Sequence, residues 1–212
     1  KQISVAGDGT CCASLAEDSE VKVWHILPTQ HGELEEPAVS GLSLTRDNRL
    51  VAIASGTGAR ILQVSGERML ASWVPDTAVP ISGMAISPDG KAAASCAKDG
   101  SVLLYRREGT EVKFTNHTAA CNSVDFSPDG TYIVSASADR TLQVYNAHSG
   151  TATRSYEGHR DQVLFVAFSS SSKRFASCSL DRSIGVWGCP APKGSKRLPD
   201  IMIKEGVKDV PL

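Results

Sequence analysis

Ser135-Ala-Ser-Ala-Asp-Arg-Thr-Leu-Gln-Val-Tyr145 is one of several copies of a single phrase. It returns as Ser177-Cys-Ser-Leu-Asp-Arg-Ser-Ile-Gly-Val-Trp187, as Ser95-Cys-Ala-Lys-Asp-Gly-Ser-Val-Leu-Leu-Tyr105 and as Ser14-Leu-Ala-Glu-Asp-Ser-Glu-Val-Lys-Val-Trp24. The copies keep a period of 40 to 42 residues along the chain, with a more eroded copy between the first and the third. Within each, apolar and polar residues alternate over short runs and then break at Gly, Asp or Asn. That is the mark of half-buried strands joined by tight turns.

Working outward from 135–145, Asn122-Ser-Val-Asp-Phe126 reads as a short strand. Ser127-Pro-Asp-Gly130 reads as a β-turn, with Pro setting φ and Gly accepting the reversal. Tyr132–Ser137 and Leu142–Tyr145 are the next two strands, and Thr151–Tyr156 is the fourth. The same turn recurs at 87–90, becomes Thr45-Arg-Asp-Asn48, and gives way to Ser169-Ser-Ser-Ser172. Five copies are counted, at about 2–36, 37–76, 77–116, 117–158 and 159–206, followed by a tail at 207–212. Ile201–Lys204 is expected as a last outer strand. A four-stranded unit of this length cannot cover its own apolar face, so copies must stack side by side. The expectation is an all-β chain arranged as a β-propeller of four-stranded antiparallel blades.

Composition narrows the function. With 22 Lys and Arg against 23 Asp and Glu, the net charge is −1, which provides no global field for nucleic acid or an acidic membrane. No apolar run reaches the length of a membrane-spanning helix, so no membrane insertion is expected. The six cysteines show no metal-ligand spacing. Cys96 and Cys178 share one repeat position on apolar strands and read as buried thiols, which points to an intracellular setting, cytoplasmic or nuclear. Asn116-His-Thr118 has the form of a glycosylation site, but His117 is better explained by the network below. No phosphate loop, paired carboxylates or metal cluster stands out, and no cofactor is expected.

Gly158-His159, Val186-Trp187 and Val23-Trp24, set in this period, give the chain a resemblance to the WD40-repeat family over nearly its whole length. Tyr105 and Tyr145 stand where the family has Trp, and no copy carries Asp after its aromatic. The resemblance implies a buried tetrad within a blade. In the last copy it falls on His159, Ser177, Asp181 and Trp187, and in the fourth on His117, Ser135, Asp139 and Tyr145. The third keeps Ser95 and Asp99 with Thr77 at the His position, and the second has only Ser55 with Pro37 there. His, Ser and Asp together also suggest a hydrolase triad. A trio that repeats at blade spacing is a folding device rather than a single active site, so no enzyme is expected.

The resemblance further implies that partners dock on the face built from the loops before the first strand and between the second and third. Those loops carry Lys98, Arg140, Arg160 and Arg182, with Arg60 in the eroded copy at the position of Arg140 and Arg182. These cations form a basic arc for an acidic or phosphorylated partner, or else solvated turn residues paired to the adjacent Asp. Phe165 and Trp73 are the large aromatics left over, and both are expected between blades. The implied role is a protein–protein interaction scaffold that assembles a multiprotein complex. A different class, a propeller that positions substrate for a catalytic part outside this chain, remains open, and nucleic-acid binding is disfavoured by the charge. The family most often closes with seven blades, so the ring is expected to be completed by further blades or by a partner, with a five-bladed ring as the other possibility.

Overall fold

The computed structural model describes residues 2–5, 11–15, 20–25, 32–35, 39–45, 47, 49–56, 58–63, 69–73, 79–190 and 199–204. Among these residues, twenty strands form five four-stranded antiparallel sheets, each made from four strands consecutive in the chain. The first holds β1 (Gln2–Val5), β2 (Cys11–Leu15), β3 (Glu20–His25) and β4 (Gly32–Glu35). The second holds β5 (Val39–Leu44), β6 (Leu50–Ser55), β7 (Gly58–Gln63) and β8 (Met69–Trp73). The third holds β9 (Ile81–Ile86), β10 (Ala92–Ala97), β11 (Val102–Arg106) and β12 (Glu111–Phe114). The fourth holds β13 (Cys121–Phe126), β14 (Tyr132–Ser137), β15 (Leu142–Asn146) and β16 (Thr151–Tyr156). The fifth holds β17 (Val163–Phe168), β18 (Arg174–Ser179), β19 (Ser183–Gly188) and β20 (Ile201–Lys204).

Sheets meet their neighbours through their first strands, in the order β1, β5, β9, β13, β17. Because side chains alternate across a strand, each sheet has two faces, and the core lies between sheets rather than inside one. Val134, Ala136, Leu142 and Val144 of the fourth sheet pack on Val163, Val166, Phe175 and Trp187 of the fifth. One joint earlier, Ala94, Cys96, Val102 and Leu104 pack on Val124, Phe126, Ile133 and Tyr145. Phe114 of the outermost strand β12 stacks on Tyr145 of the next sheet at 4.2 Å, and Tyr156 of β16 meets Trp187 edge-on. Small residues bring the first strands close: a Cβ on Gly41 would lie 2.9 Å from Met84 N, and one on Gly83 would lie 3.6 Å from Ser123 Cα.

The turn at 169–172 keeps its shape without Pro, Asp or Gly. Ser172 N–H donates to Ser169 O at 3.0 Å, as Gly130 N–H does to Ser127 O, and Ser172 takes the left-handed φ of 58° that Gly130 has at 72°. Thr45 binds Asp47 at 2.7 Å, as Ser127 binds Asp129 at 2.6 Å.

Two expectations need correction. In the second sheet Val51 pairs with Leu62 and Ile53 with Arg60, just as Ile133 pairs with Tyr145 and Ser135 with Gln143. Arg60 therefore lies inside β7 rather than in a turn, and Ile53, not Ser55, takes the serine position. The β6–β7 hairpin closes tightly with Ser55 opposite Gly58, which shifts β6 by two residues and β7 by three from the expected alignment. Phe165 does not pack between sheets. It is 57% exposed, with no other sheet covering it among the described residues.

Candidate partner-binding face

Each network begins with a hairpin. Asp139 and Asp181 sit in the loops joining β14 to β15 and β18 to β19, and a hydroxyl two residues away on either side clamps each loop. Asp139 N–H donates to Ser137 Oγ at 3.1 Å, and the Thr141 hydroxyl donates to Asp139 Oδ1 at 2.7 Å. Ser179 and Ser183 do the same for Asp181. This clamp reads in the sequence as Ser-x-Asp-x-Ser/Thr, a signal that the search for tetrads alone passes over.

The second oxygen of each carboxylate reaches the loop that enters the sheet. His117 Nδ1 lies 2.9 Å from Asp139 Oδ2, and the Thr118 amide donates to that oxygen at 3.0 Å. In the fifth sheet His159 Nδ1 lies 3.2 Å from Asp181 Oδ2, to which the Arg160 amide donates at 2.7 Å. The other ring nitrogen continues inward, 2.7 Å from Ser135 Oγ in one sheet and 2.7 Å from Ser177 Oγ in the other. Trp187 Nε1 donates to Ser177 Oγ at 2.8 Å, whereas Tyr145 Oη stands 3.5 Å from Ser135 Oγ. The indole closes the network more tightly than the phenol.

Electrostatics follow from these contacts. Burial works to raise the Asp139 pKa, but the Thr141 hydroxyl and the Thr118 and Thr141 amides outweigh it and leave the carboxyl below its ordinary value. Desolvation likewise opposes ionisation of Asp181, and the Ser183 hydroxyl and Arg160 amide overcome it, holding the group far below the usual carboxylate range. Burial depresses the His117 pKa against the pull of Asp139. Ser135 and Ser177 are fully buried under their aromatics, so these trios are closed to a substrate.

The third sheet keeps half of this. Ser95 Oγ lies 3.3 Å from Tyr105 Oη, and Asp99 is clamped by Ser101, but its free oxygen faces Lys113 at 3.8 Å. Thr77 and Pro37 lie outside the described residues. The second sheet has a buried Ile53 in the serine position and Leu62 in the aromatic one.

What the networks hold in place is one end of the sheets. Arg140 and Arg182 follow the clamped aspartates, both exposed, at the left-handed φ values of 72° and 63°. Gly100 occupies that slot in the third sheet at 86°, where a Cβ would lie 2.6 Å from Ala119 O of the neighbouring sheet. Lys98 is exposed one turn position earlier than Gly100's neighbour Asp99, and Arg160 is exposed on the loop pinned to Asp181. Among the described residues, no carboxylate pairs with the side chains of Lys98, Arg140, Arg160 or Arg182. The aspartates that could neutralise them are turned inward. Arg60 does not join this group.

Four-stranded sheets at constant spacing, the fourth and fifth locked by buried His–Ser–Asp–aromatic networks, define a repeat protein of propeller blades. The pattern described as "WD domain, G-beta repeat" matches residues 72–106, 109–146 and 150–188, and the chain belongs to that family. Each matched segment starts at the outer strand of one sheet and ends with the third strand of the next, so a single repeat ties two sheets together. A probable cytosolic iron-sulfur protein assembly protein CIAO1 homolog from Caenorhabditis elegans is 34% identical over 58% of this chain and 33% of its own length. An intraflagellar transport protein 122 homolog from Homo sapiens is 42% identical over 31% of this chain and 5% of its own. Protein HIR1 of Candida albicans is 22% identical over 87% of this chain and 22% of its own. The chain spans a third or less of the length of these relatives.

Proposed function

We propose that this chain is a non-catalytic interaction platform that helps assemble a multiprotein complex, and that the loop end carrying Lys98, Arg140, Arg160 and Arg182 receives an acidic or phosphorylated protein segment. One observation carries the reading. Asp139 and Asp181 spend both oxygens on hydroxyls, amides and His, so Arg140 and Arg182 stand beside carboxylates yet face solvent unneutralised. Both arginines also hold a backbone conformation that costs an L residue roughly 1–2 kcal/mol, a strain that turn stability alone does not call for. A setting inside the cell accords with Cys96, Cys121, Cys178 and Cys189, all unpaired.

The test is binding to a panel of acidic and phosphorylated peptides, comparing wild type with Lys98→Glu/Arg140→Glu/Arg182→Glu, whose thermal midpoint is checked first. Capture of a discrete subset, lost on charge reversal and weakened by salt, supports the assignment. Capture that survives reversal moves the site elsewhere. The opposite end of the third and fourth sheets offers a groove of about 560 Å³ that includes Pro88, Lys91, Arg107, Pro128 and His148.

A further inference from the structure

In the second to fifth sheets the first and second strands are joined by the same turn, and the second, third and fourth sheets place a carboxylate at its third position. Asp47 Oδ1 accepts from the Thr45 hydroxyl at 2.7 Å and from the Arg49 amide at 3.1 Å. Asp89 Oδ1 takes the Ser87 hydroxyl at 2.7 Å and the Lys91 amide at 3.1 Å. Asp129 Oδ1 takes the Ser127 hydroxyl at 2.6 Å and the Thr131 amide at 3.0 Å. Burial opposes ionisation of Asp89 and Asp129, yet the hydroxyl and the amide outweigh it and leave both below the ordinary carboxyl value. The slot suits an anion.

In the fifth sheet Ser171 occupies that position, and the frame around it is kept. Arg174 N–H donates to Ser169 Oγ at 3.3 Å, as Tyr132 N–H does to Ser127 Oγ at 2.8 Å. Ser169 N–H donates to Arg174 O at 2.9 Å, as Ser127 N–H does to Tyr132 O at 2.8 Å. What is missing is the charge. Ser171 Oγ meets the Ser169 hydroxyl at 3.1 Å, and among the described residues the Lys173 amide donates to no carboxylate.

Ser171 is exposed, and so are Asp89 and Asp129, each with a sheet on either side, so this exposure belongs to the turn's place at the sheet end. Lys173 and Arg174 follow it, and neither pairs with a carboxylate among the described residues. The neighbouring serines are differently placed. Ser172 is half-buried and its hydroxyl accepts from the Asp129 amide at 3.1 Å, while the Ser169 hydroxyl donates to Arg174 O at 2.9 Å. Ser170 stands where Pro88 and Pro128 do, one place before the anion position.

We propose that Ser171 is a phosphorylation site, and that the phosphoryl group takes the place of the missing carboxylate and fastens the β17–β18 turn. The donor is a nucleoside triphosphate acting through a protein kinase. The bond from Ser171 Oγ to phosphorus forms as the bond from the γ-phosphorus to the bridging oxygen breaks. The nucleoside diphosphate departs, and the hydroxyl proton passes to the kinase's base. Phosphoserine carries a charge of about −1.5 to −2 and three strong acceptor oxygens, which receive the Ser169 hydroxyl and the Lys173 amide. The turn lies at the opposite end of β18 from Arg182, so the modification is independent of the loop face proposed above.

Two measurements test this. Phosphate is mapped by mass spectrometry on the protein isolated from its own cells with phosphatases blocked, and modification of Ser171 is expected. Phosphoserine is then installed at 171, and separately at 170, by amber-codon suppression, and each chain is compared with wild type. At 171 it should slow hydrogen exchange of the Lys173 amide at least about tenfold and raise the thermal midpoint by about 2–4 °C. At 170 it should do neither. Ser171→Asp, which restores the group the other turns carry, should protect the same amide in part. Absence of phosphate from Ser171, an unprotected Lys173 amide in the 171 phosphoserine chain or in Ser171→Asp, or equal protection from position 170 overturns the proposal.

Discussion

The second and fourth sheets have the same four strands and the same register, yet one is built around Ile53 and Leu62 and the other around His117, Ser135, Asp139 and Tyr145. A blade of this shape therefore forms with apolar residues in place of the polar network. What the network adds lies at its upper end. It ties the entry loop, through Thr118 or Arg160, to the hairpin that carries Arg140 or Arg182. The difference teaches that the buried histidines are chiefly fasteners for a loop face, and only secondarily parts of a core.

Exchanging the two solutions should fail. Ile53→Ser places a hydroxyl on the sheet face shared with Leu42, Val51 and Leu62, without a histidine to meet it, and removes a fully buried side chain. The expected loss is about 3–5 kcal/mol, seen as a large drop in the thermal midpoint. A small effect would mean that the second sheet tolerates a polar centre and that the contrast is superficial.

Asp139→Ala sharpens the same comparison. It leaves His117 Nδ1 with only the Thr141 hydroxyl at 3.3 Å and orphans the Thr118 and Thr141 amides, at an expected cost of about 2–3 kcal/mol. Hydrogen exchange should rise first in residues 115–120, ahead of the strands, if the network mainly fastens the loop.

Acid should separate the two sheets. The His117 pKa falls on folding from 6.5, so the unfolded chain binds more protons there, and stability is lost as the pH drops below that value toward the folded one. Asp139, lowered from 3.8, brings a further loss as the pH falls through its folded value. The thermal midpoint should therefore be level well above pH 6.5 and decline below it, and His117→Asn should flatten the first part of that decline.

The smallest expected effect has the opposite sign. Arg140→Gly relieves the left-handed strain at a slot that Gly100 already fills in the third sheet. It should raise stability by about 0.5–1 kcal/mol, measured by denaturant midpoint.

Much of this was legible in the sequence because the phrase at 135–145 repeats with its turn residues in place. Turns and strand order follow from spacing, and the places of both histidines from the resemblance to the WD40-repeat family. The second sheet departs from the expected alignment by two residues in β6 and three in β7, and the reason is physical. In β6 a shift of two leaves every side chain on the same face, so alternation carries no signal against it, and the β6–β7 loop is one residue shorter than its counterpart in the fourth sheet. Ser55 and Ala59 also imitate the spacing of Ser135 and Asp139. Phe165 stands exposed among the described residues, since a strand's own pattern shows which residues are apolar and not what covers them. Thr141 and Ser183 went unnoticed because a hydroxyl two residues after Asp is common in turns and gains meaning only when its clamp is seen.

If the loop face is held for a partner, Arg140→Gly/Arg182→Gly removes the partner's contacts with the fold left sound. Its affinity for the acidic or phosphorylated peptides captured by wild type should be measured alongside its stability. The expected result is a chain at least as stable as wild type that has lost most of that affinity. Undiminished binding in a stabilised variant would contradict it, leaving the two arginines as strained turn residues and nothing more.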